Sequence, residues 1–231
     1  MTSIHSAPTR PRWWASIERG EIGNAVTHGT GFLLSAVGSV VMAAHVVPGG
    51  SPWRIAGCMI FASTLVAVYA LSTLSHAVSA PRYKRFFEML DQAFIFLLIV
   101  GTFTPFVLAY LRTGPWLSLL AVMWALALYG FGSKIRLGDE VGKTSVWLQL
   151  LLGWLPISTV PALVHLVPAA ALWWMLIGGL FYTVGTIFLI LDRHVQHFHI
   201  VWHLFVMAGS ICHYSVIFQY IARQAGPVLS G

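Results

Sequence analysis

The stretch FHIVWHLFVMAGSICHYSVIFQYI, residues 198–221, contains no Asp, Glu, Lys or Arg. A transmembrane α-helix needs about 20 predominantly apolar residues, so this segment is long enough to cross a bilayer. It also begins with His199 and His203, four residues apart. That spacing places both imidazoles on one face of a helix. The stretch therefore predicts a membrane span with a polar site at one end.

The rest of the chain is of the same kind. Its 231 residues are 58% apolar and 9% charged, whereas soluble domains carry about 25% charged residues. Composition therefore excludes a water-soluble protein. Charged or turn residues bound six further apolar runs at about 24–47, 53–78, 88–111, 115–133, 145–165 and 169–191. We predict an all-α, seven-helix transmembrane bundle over residues 24–221, between a cytoplasmic tail at 1–23 and an external tail at 222–231.

The basic residues predict the orientation of this bundle, because cytoplasmic loops carry an excess of Lys and Arg. Ten of the 13 basic residues fall in the N-terminal tail and the loops on its side of the membrane. The opposite side holds three, Arg54, Arg112 and Arg223. We therefore expect a cytoplasmic N-terminus. No basic run is of the kind that indicates nucleic-acid binding, so we expect no nucleic-acid partner.

Four of the predicted spans carry polar side chains at the same membrane face. Ionisable residues inside spans are costly and therefore indicate function. Alternating helix directions bring the starts of spans one, three and seven and the end of span two to the cytoplasmic side. The polar residues at these ends are Glu21, Asn24, His28, Ser72, His76, Asp91, His199 and His203.

The histidines in this group have the spacing and depth of a metal site. An isolated pair such as His199 and His203 would more often be two interfacial aromatic side chains. A third histidine, His76, and a carboxylate, Asp91, at matching depth favour a metal ion. Three imidazoles and a water molecule form the tetrahedral shell of catalytic zinc sites. Imidazole ligands favour Zn²⁺, iron or manganese over magnesium or calcium.

Asp91 and Ser72 each have more than one interpretation at this stage. A carboxylate inside a span needs compensation, which a nearby metal ion would supply directly or through water. Asp91 could instead cap the third helix or pair with one of the basic residues Arg82, Lys84 and Arg85. Ser72 could contact a metal-bound water, orient an imidazole, or bond the carbonyl four residues before it.

Three polar residues at the start of the first span lie at the same predicted depth as the histidines and Asp91, and a fourth polar residue, His213, lies deeper in the membrane. Glu21, Asn24 and His28 could be partners of the metal ligands or simply interfacial. His213 lies roughly 15 Å beyond His203 along the helix. That distance is too great for His213 to share the metal, and we expect a core polar contact or a place in a cavity wall.

Several of these residues form motifs that resemble bacterial hemolysin III proteins. Those proteins belong to the larger progestin and adipoQ receptor family, which is similar in turn to alkaline ceramidases. The motifs cover nearly the whole chain and are Glu21-x-x-Asn24-x-x-Thr27-His28, Ser72-x-x-x-His76, Leu90-Asp91, Gly101-Thr102-Phe103-Thr104-Pro105 and Phe198-His199-x-x-x-His203.

The resemblance implies a multi-pass protein of the bacterial inner (plasma) membrane. It implies Zn²⁺ bound by His76, His199 and His203, with Asp91 contacting the metal through water and Ser72 close by. Together with the residues it predicts a zinc-dependent hydrolase of ceramide-like amides or other acyl lipids, in which Asp91 is the general base and Ser72 supports the oxyanion.

Two other functions remain open. One is a lipid receptor, or a regulator of membrane fluidity or energetics, with structural zinc. The other is a pore-forming cytolysin. A membrane lipid is the expected substrate or ligand, and the sequence identifies no protein partner.

Overall fold

The structure is a computed structural model, and it describes residues 19–137, 142–192, 194–195 and 197–224. All regular secondary structure within these residues is helical. Seven helical segments in this part of the chain are long and apolar enough to span a membrane, as predicted. Their helices are α1 (Arg19–Val46), α2 (Pro52–Ala77), α3 (Pro81–Tyr110), α4 (Gly114–Leu137), α5 (Gly142–Trp154), α6 (Ala169–Leu191) and α7 (Phe198–Ile217).

Two helices have a proline as their first residue, and this proline marks where each helix begins. Pro52 opens α2 directly after Ser51, whose hydroxyl accepts a hydrogen bond from the Arg54 backbone N–H. Pro81 opens α3, seven residues before the apolar run predicted at 88. Proline suits the first turn of a helix because the N–H that it lacks would have no helical partner there.

This early start places Asp91 well inside α3. The N-cap of α3 is Ala80, so Asp91 does not cap the helix, which removes one interpretation of this carboxylate. The ends of the bundle also extend slightly beyond the predicted span. Helix α1 begins at Arg19, within the segment predicted as a tail, and α7 continues as a π-helical turn, Phe218–Ala222.

Prolines interrupt one span and are accommodated in another. After α5 the chain forms a 3₁₀ segment, Leu155–Thr159, and one α-helical turn, Val160–Leu163. Pro156 and Pro161 lie in these two segments, where the lost N–H groups prevent a continuous α-helix. Pro105 instead lies within the single helix α3.

The central helix is α3, whose C-terminal half is almost fully buried. It packs closely on α2 because glycines let the backbones approach. A Cβ atom at Gly57 would lie 2.8 Å from the Pro105 Cα, and one at Gly101 would lie 2.5 Å from the Thr64 hydroxyl.

Helices α6 and α7 form a second close pair, which contacts α1 and α3. Helix α5 packs against α3, α4 and α6 over few residues, and a cavity lies between α3, α5, α6 and α7.

Candidate metal centre

Three histidines from two helices meet at one end of the bundle. His76 lies at the end of α2, and His199 and His203 lie in the first turns of α7. One ring nitrogen from each lies within 4.8 Å of the other two. Zinc–nitrogen bonds measure about 2.0–2.1 Å, so the cluster is close to the size that a single ion requires. The predicted convergence of these three residues is therefore present in the fold.

Carboxylates hold two of these imidazoles in place. His76 Nδ1 donates to Glu21 Oε2 at 2.7 Å, and His199 Nδ1 donates to Asp192 Oδ2 at 2.8 Å. With the proton on Nδ1, Nε2 of each ring has a free lone pair for a metal, and the carboxylate raises its basicity. The second oxygen of Glu21 accepts a hydrogen bond from Lys84 at 2.8 Å.

The third imidazole shows most directly that the cluster suits a metal ion. His203 is 1% exposed, and neither of its ring nitrogens has a hydrogen-bond partner among the described residues. A buried polar group without a partner costs about 1–3 kcal/mol. A metal bound at one of these nitrogens would remove part of that cost. The donor set, three imidazoles with two carboxylate partners, is one that zinc and similar transition metals prefer.

His28 and Asn24 lie beside the cluster. The His28 ring is packed edge-on against His203, with 3.6 Å between ring centroids. Among the described residues, neither of the His28 nitrogens nor the buried side-chain oxygen of Asn24 has a hydrogen-bond partner. Of the three residues predicted to support the ligands, Glu21 makes a hydrogen bond to one. Within the part of the chain that the structure describes, His28 contacts the rings of His203 and Tyr69, and the Asn24 side-chain oxygen accepts no hydrogen bond.

Asp91 and Ser72 face the same space from α3 and α2, because both line the cavity. Asp91 is close enough to Ser72 and His76 to interact with both electrostatically. The Ser72 hydroxyl is fully buried, and the Ser72 side chain interacts with Asp91.

The three basic residues considered as partners of Asp91 do not neutralise it. Lys84 pairs with Glu21. Within the described residues, no ion pair joins Asp91 to Arg82 or Arg85. The Asp91 carboxyl group therefore lines the cavity without an ion-pair partner among the described residues.

Sequence reasoning missed the role of Asp192. This residue follows α6 directly and lies seven positions before His199. The available signal was a carboxylate at the end of a span on the predicted cytoplasmic side, the same criterion that identified Glu21. Lys84 was considered as a partner of Asp91, and its actual partner is Glu21.

The cavity has a volume of about 860 Å³ and is lined mainly by apolar side chains. Asp91, His199 and His203 lie at one end of it, and Leu172 of α6 lies toward the other. The helix from Leu172 to Asp192 rises roughly 30 Å, comparable to the hydrocarbon thickness of a bilayer, about 30 Å. His213 also lines this cavity and lies outside the metal cluster, in agreement with its predicted depth.

Comparison with known proteins agrees with the motifs. Residues 18–214 match the family model described as haemolysin-III related. The hemolysin-3 homolog of Bacillus subtilis is 36% identical over 203 residues, 88% of this chain and 95% of that protein. Hemolysin-3 of Bacillus cereus is 33% identical over 205 residues, covering 89% and 93%.

A more distant relative is human. The monocyte to macrophage differentiation factor is 25% identical over 226 residues, 95% of this chain and 92% of that protein. No solved structure matches the chain significantly. The family match, the two bacterial relatives and the seven apolar helices lead to one conclusion: the chain is a multi-pass membrane protein of the haemolysin-III-related family.

Proposed function

We propose that this protein hydrolyses an amide or ester bond of a membrane lipid, with Zn²⁺ held by His76, His199 and His203. The observation that carries the proposal is the cavity. It joins His199, His203, Asp91 and Ser72 to a mainly apolar space, and its lining residues on α6 extend over roughly 30 Å of helix. A polar reactive end and a long apolar extension are the two features that cleavage of an acyl lipid requires.

The three imidazoles support zinc as the ion, because zinc sites with three protein ligands leave a fourth position for water or substrate. When bound, Zn²⁺ acts as a Lewis acid and activates water for attack on a carbonyl carbon. Glu21 and Asp192 keep His76 and His199 oriented for this task through the hydrogen bonds at their Nδ1 atoms.

Asp91 and Ser72 supply the remaining chemistry. Asp91 faces the cavity, and as general base it takes a proton from the attacking water and then gives it to the leaving amine or alkoxide. Ser72 carries a buried hydroxyl beside Asp91, which can donate to the oxygen that becomes negative as the carbonyl is attacked.

The substrate is an acyl lipid that enters from the bilayer. Apolar side chains such as Leu98, Ile99 and Phe103 line the cavity beyond the reactive end, and burial of an acyl chain there is favourable by about 0.8 kcal/mol per CH₂ group. A ceramide-like amide fits this description, as does another acyl lipid. We place the reaction at the cytoplasmic leaflet of the bacterial inner membrane.

A lipid receptor with structural zinc is the second candidate, since the same cavity would hold a lipid without cleaving it. The names of the two Bacillus relatives suggest a third function, cytolysis. The described spans of this chain are already packed as an apolar bundle, which favours residence in the cell's own membrane.

The test compares lipid turnover with zinc content in four purified proteins. The wild type should contain stoichiometric zinc and cleave an acyl amide or ester. Asp91→Asn should keep its zinc and lose roughly 100-fold or more of the turnover rate, as expected when a general base is removed. The double variant His199→Ala/His203→Ala should lose both zinc and turnover.

His45→Ala is the matched control, because His45 lies at the end of α1 opposite the metal centre, where its Nδ1 atom hydrogen-bonds the Val41 carbonyl of the same helix. It should retain zinc and activity. If the zinc-loaded wild type cleaves no acyl lipid, the hydrolase is disproved and the receptor is favoured. If the double variant keeps its zinc, the assignment of the ligands is wrong.

A further inference from the structure

His213 is a polar residue of the cavity wall that the proposed hydrolysis does not use. It lies on α7, roughly 15 Å beyond His203, and therefore near the middle of the bilayer. The side chain is 9% exposed, it lines the cavity, and its Nδ1 atom has no hydrogen-bond partner among the described residues. A buried imidazole nitrogen without a partner among the described residues needs a physical reason at this depth, because each buried polar group without a partner is costly.

The neighbours of His213 are arranged around its ring. The Tyr182 ring stacks on it with planes 10° apart and centroids separated by 5.5 Å. On α6, Gly178 leaves space for the ring, since a Cβ atom at that position would lie 2.7 Å from His213 Nε2. The imidazole is thus held in a fitted position at the cavity wall.

The other polar groups in this part of the cavity already have partners. Thr183 donates to the Gly179 carbonyl at 2.8 Å and accepts from the Trp154 indole at 3.1 Å. The Tyr182 hydroxyl is hydrogen-bonded to Ser210 at 2.9 Å. Among the described cavity-lining residues away from the metal centre, His213 is the one with a buried side-chain nitrogen or oxygen left unpaired.

A water molecule would not explain this arrangement well. Buried waters make about three hydrogen bonds, and the hydroxyls of Tyr182 and Thr183 are already engaged. An oxygen atom that belongs to an otherwise apolar ligand requires fewer partners. A neutral imidazole can donate from one nitrogen and accept at the other, so it can pair with a hydroxyl or a keto group.

We propose that His213 is a second recognition point in the cavity, which hydrogen-bonds an oxygen function carried in the middle of a lipid's acyl chain. The preferred ligand is then an acyl lipid with a hydroxyl or keto group roughly 15 Å from the group at the metal centre. This inference rests on the proposed function only in requiring that the cavity holds a lipid with its carbonyl end toward His199 and His203.

The test measures binding of fatty acids to the purified full-length protein in detergent. The probes are a stearic acid hydroxylated at mid-chain, unsubstituted stearic acid, and an isomer with the hydroxyl beside the carboxyl group. The wild type should bind the mid-chain hydroxy acid about tenfold more tightly than the other two, the size expected for one buried hydrogen bond.

The diagnostic variant is His213→Phe, which keeps an aromatic ring against Tyr182 and removes both ring nitrogens. It should bind unsubstituted stearic acid at least as tightly as the wild type and lose the preference for the mid-chain hydroxyl. Gly178→Ala is a second variant, because its Cβ atom displaces the imidazole without changing its chemistry. It should reduce the same preference.

The outcomes separate this inference from the proposed hydrolase. Equal affinities of the wild type for the three acids, or a preference that survives His213→Phe, would overturn the role of His213 and leave the lipid cavity intact. Binding of none of the acids would overturn both proposals. A preference that His213→Phe abolishes, in a protein that cleaves no acyl lipid, would support the recognition point and contradict the hydrolase.

Discussion

At the level of single residues, the candidate metal centre contains two carboxylates, Glu21 and Asp192, in addition to its three imidazoles. Each carboxylate accepts a hydrogen bond from the Nδ1 atom of one ligand, His76 or His199. These bonds fix which nitrogen carries the proton and how the ring is turned. The third ligand, His203, is held instead by burial and by the His28 ring.

Removing either carboxylate should therefore weaken metal binding without removing a ligand. We expect Glu21→Ala and Asp192→Ala each to reduce zinc affinity by roughly 10–100-fold, the usual effect of losing such a partner. Titration against a chelator of known affinity measures this change. Lys84→Met should have a smaller effect, because it removes the second partner of Glu21 and leaves the bond to His76 intact.

A matched control is Glu88→Ala, which removes a carboxylate of α3 for which no hydrogen bond to a ligand is seen in the described structure. It should keep wild-type affinity. Unchanged affinity in both Glu21→Ala and Asp192→Ala would show that the two carboxylates do not tune the site.

At the level of helices, hydropathy predicted the number of spans, and its largest error at a helix start was in the third span. The third span was predicted from residue 88 because Arg82, Lys84 and Arg85 precede it. The helix nevertheless begins at Pro81, because charged side chains do not stop a helix that has a proline at its first position. The correction matters for Asp91, which becomes an interior residue of α3 and lines the cavity.

Close packing of α2 on α3 makes Gly57 a sensitive position. In most helices Gly→Ala is stabilising by about 1 kcal/mol, but here the added Cβ would lie 2.8 Å from the Pro105 backbone. We expect Gly57→Ala to lower the free energy of unfolding by roughly 1–3 kcal/mol, the cost of overpacking. Thermal unfolding of the purified protein in detergent measures the difference.

Gly132 in α4 provides the comparison, since a Cβ atom there meets no other atom within 4 Å. Gly132→Ala should leave stability unchanged or raise it by up to about 1 kcal/mol. A Gly57→Ala protein as stable as Gly132→Ala would show that the α2–α3 contact is looser than the structure indicates.

At the level of the whole molecule, the sequence predicted that residues from distant spans meet at one membrane face. It did not predict the cavity that extends from these residues into the bundle. Alternating helix directions are enough to place His76 at the same membrane face as His199 and His203, whereas their proximity follows from the packing of the helices. The cavity depends on how sparsely α5 packs against α3 and α6, which no local pattern records. His213 illustrates this limit, because its depth followed from helical rise, whereas its unpaired nitrogen and its contact with Tyr182 appeared only in the packed structure.

The orientation of the molecule in the membrane decides which leaflet the candidate metal centre faces. Chemical labelling of single introduced cysteines can measure this orientation. The native cysteines Cys58 and Cys212 are both free and buried, so an impermeant maleimide should label the wild-type protein only weakly. Two exposed loop residues are suitable positions, Ala80 between α2 and α3 and Thr113 between α3 and α4. Ten of the 13 basic residues lie on the Ala80 side, and that excess predicts a cytoplasmic location.

Thr113→Cys should therefore be labelled in intact cells, and Ala80→Cys should be labelled only after the membrane is permeabilised. Each variant is the control for the other, because the two loops flank the same helix, α3. The reverse pattern would place the N-terminus and the three imidazoles at the external face. The hydrolase would then act on lipids of the outer leaflet, because Asp91, His199 and His203 line the end of the cavity at that face.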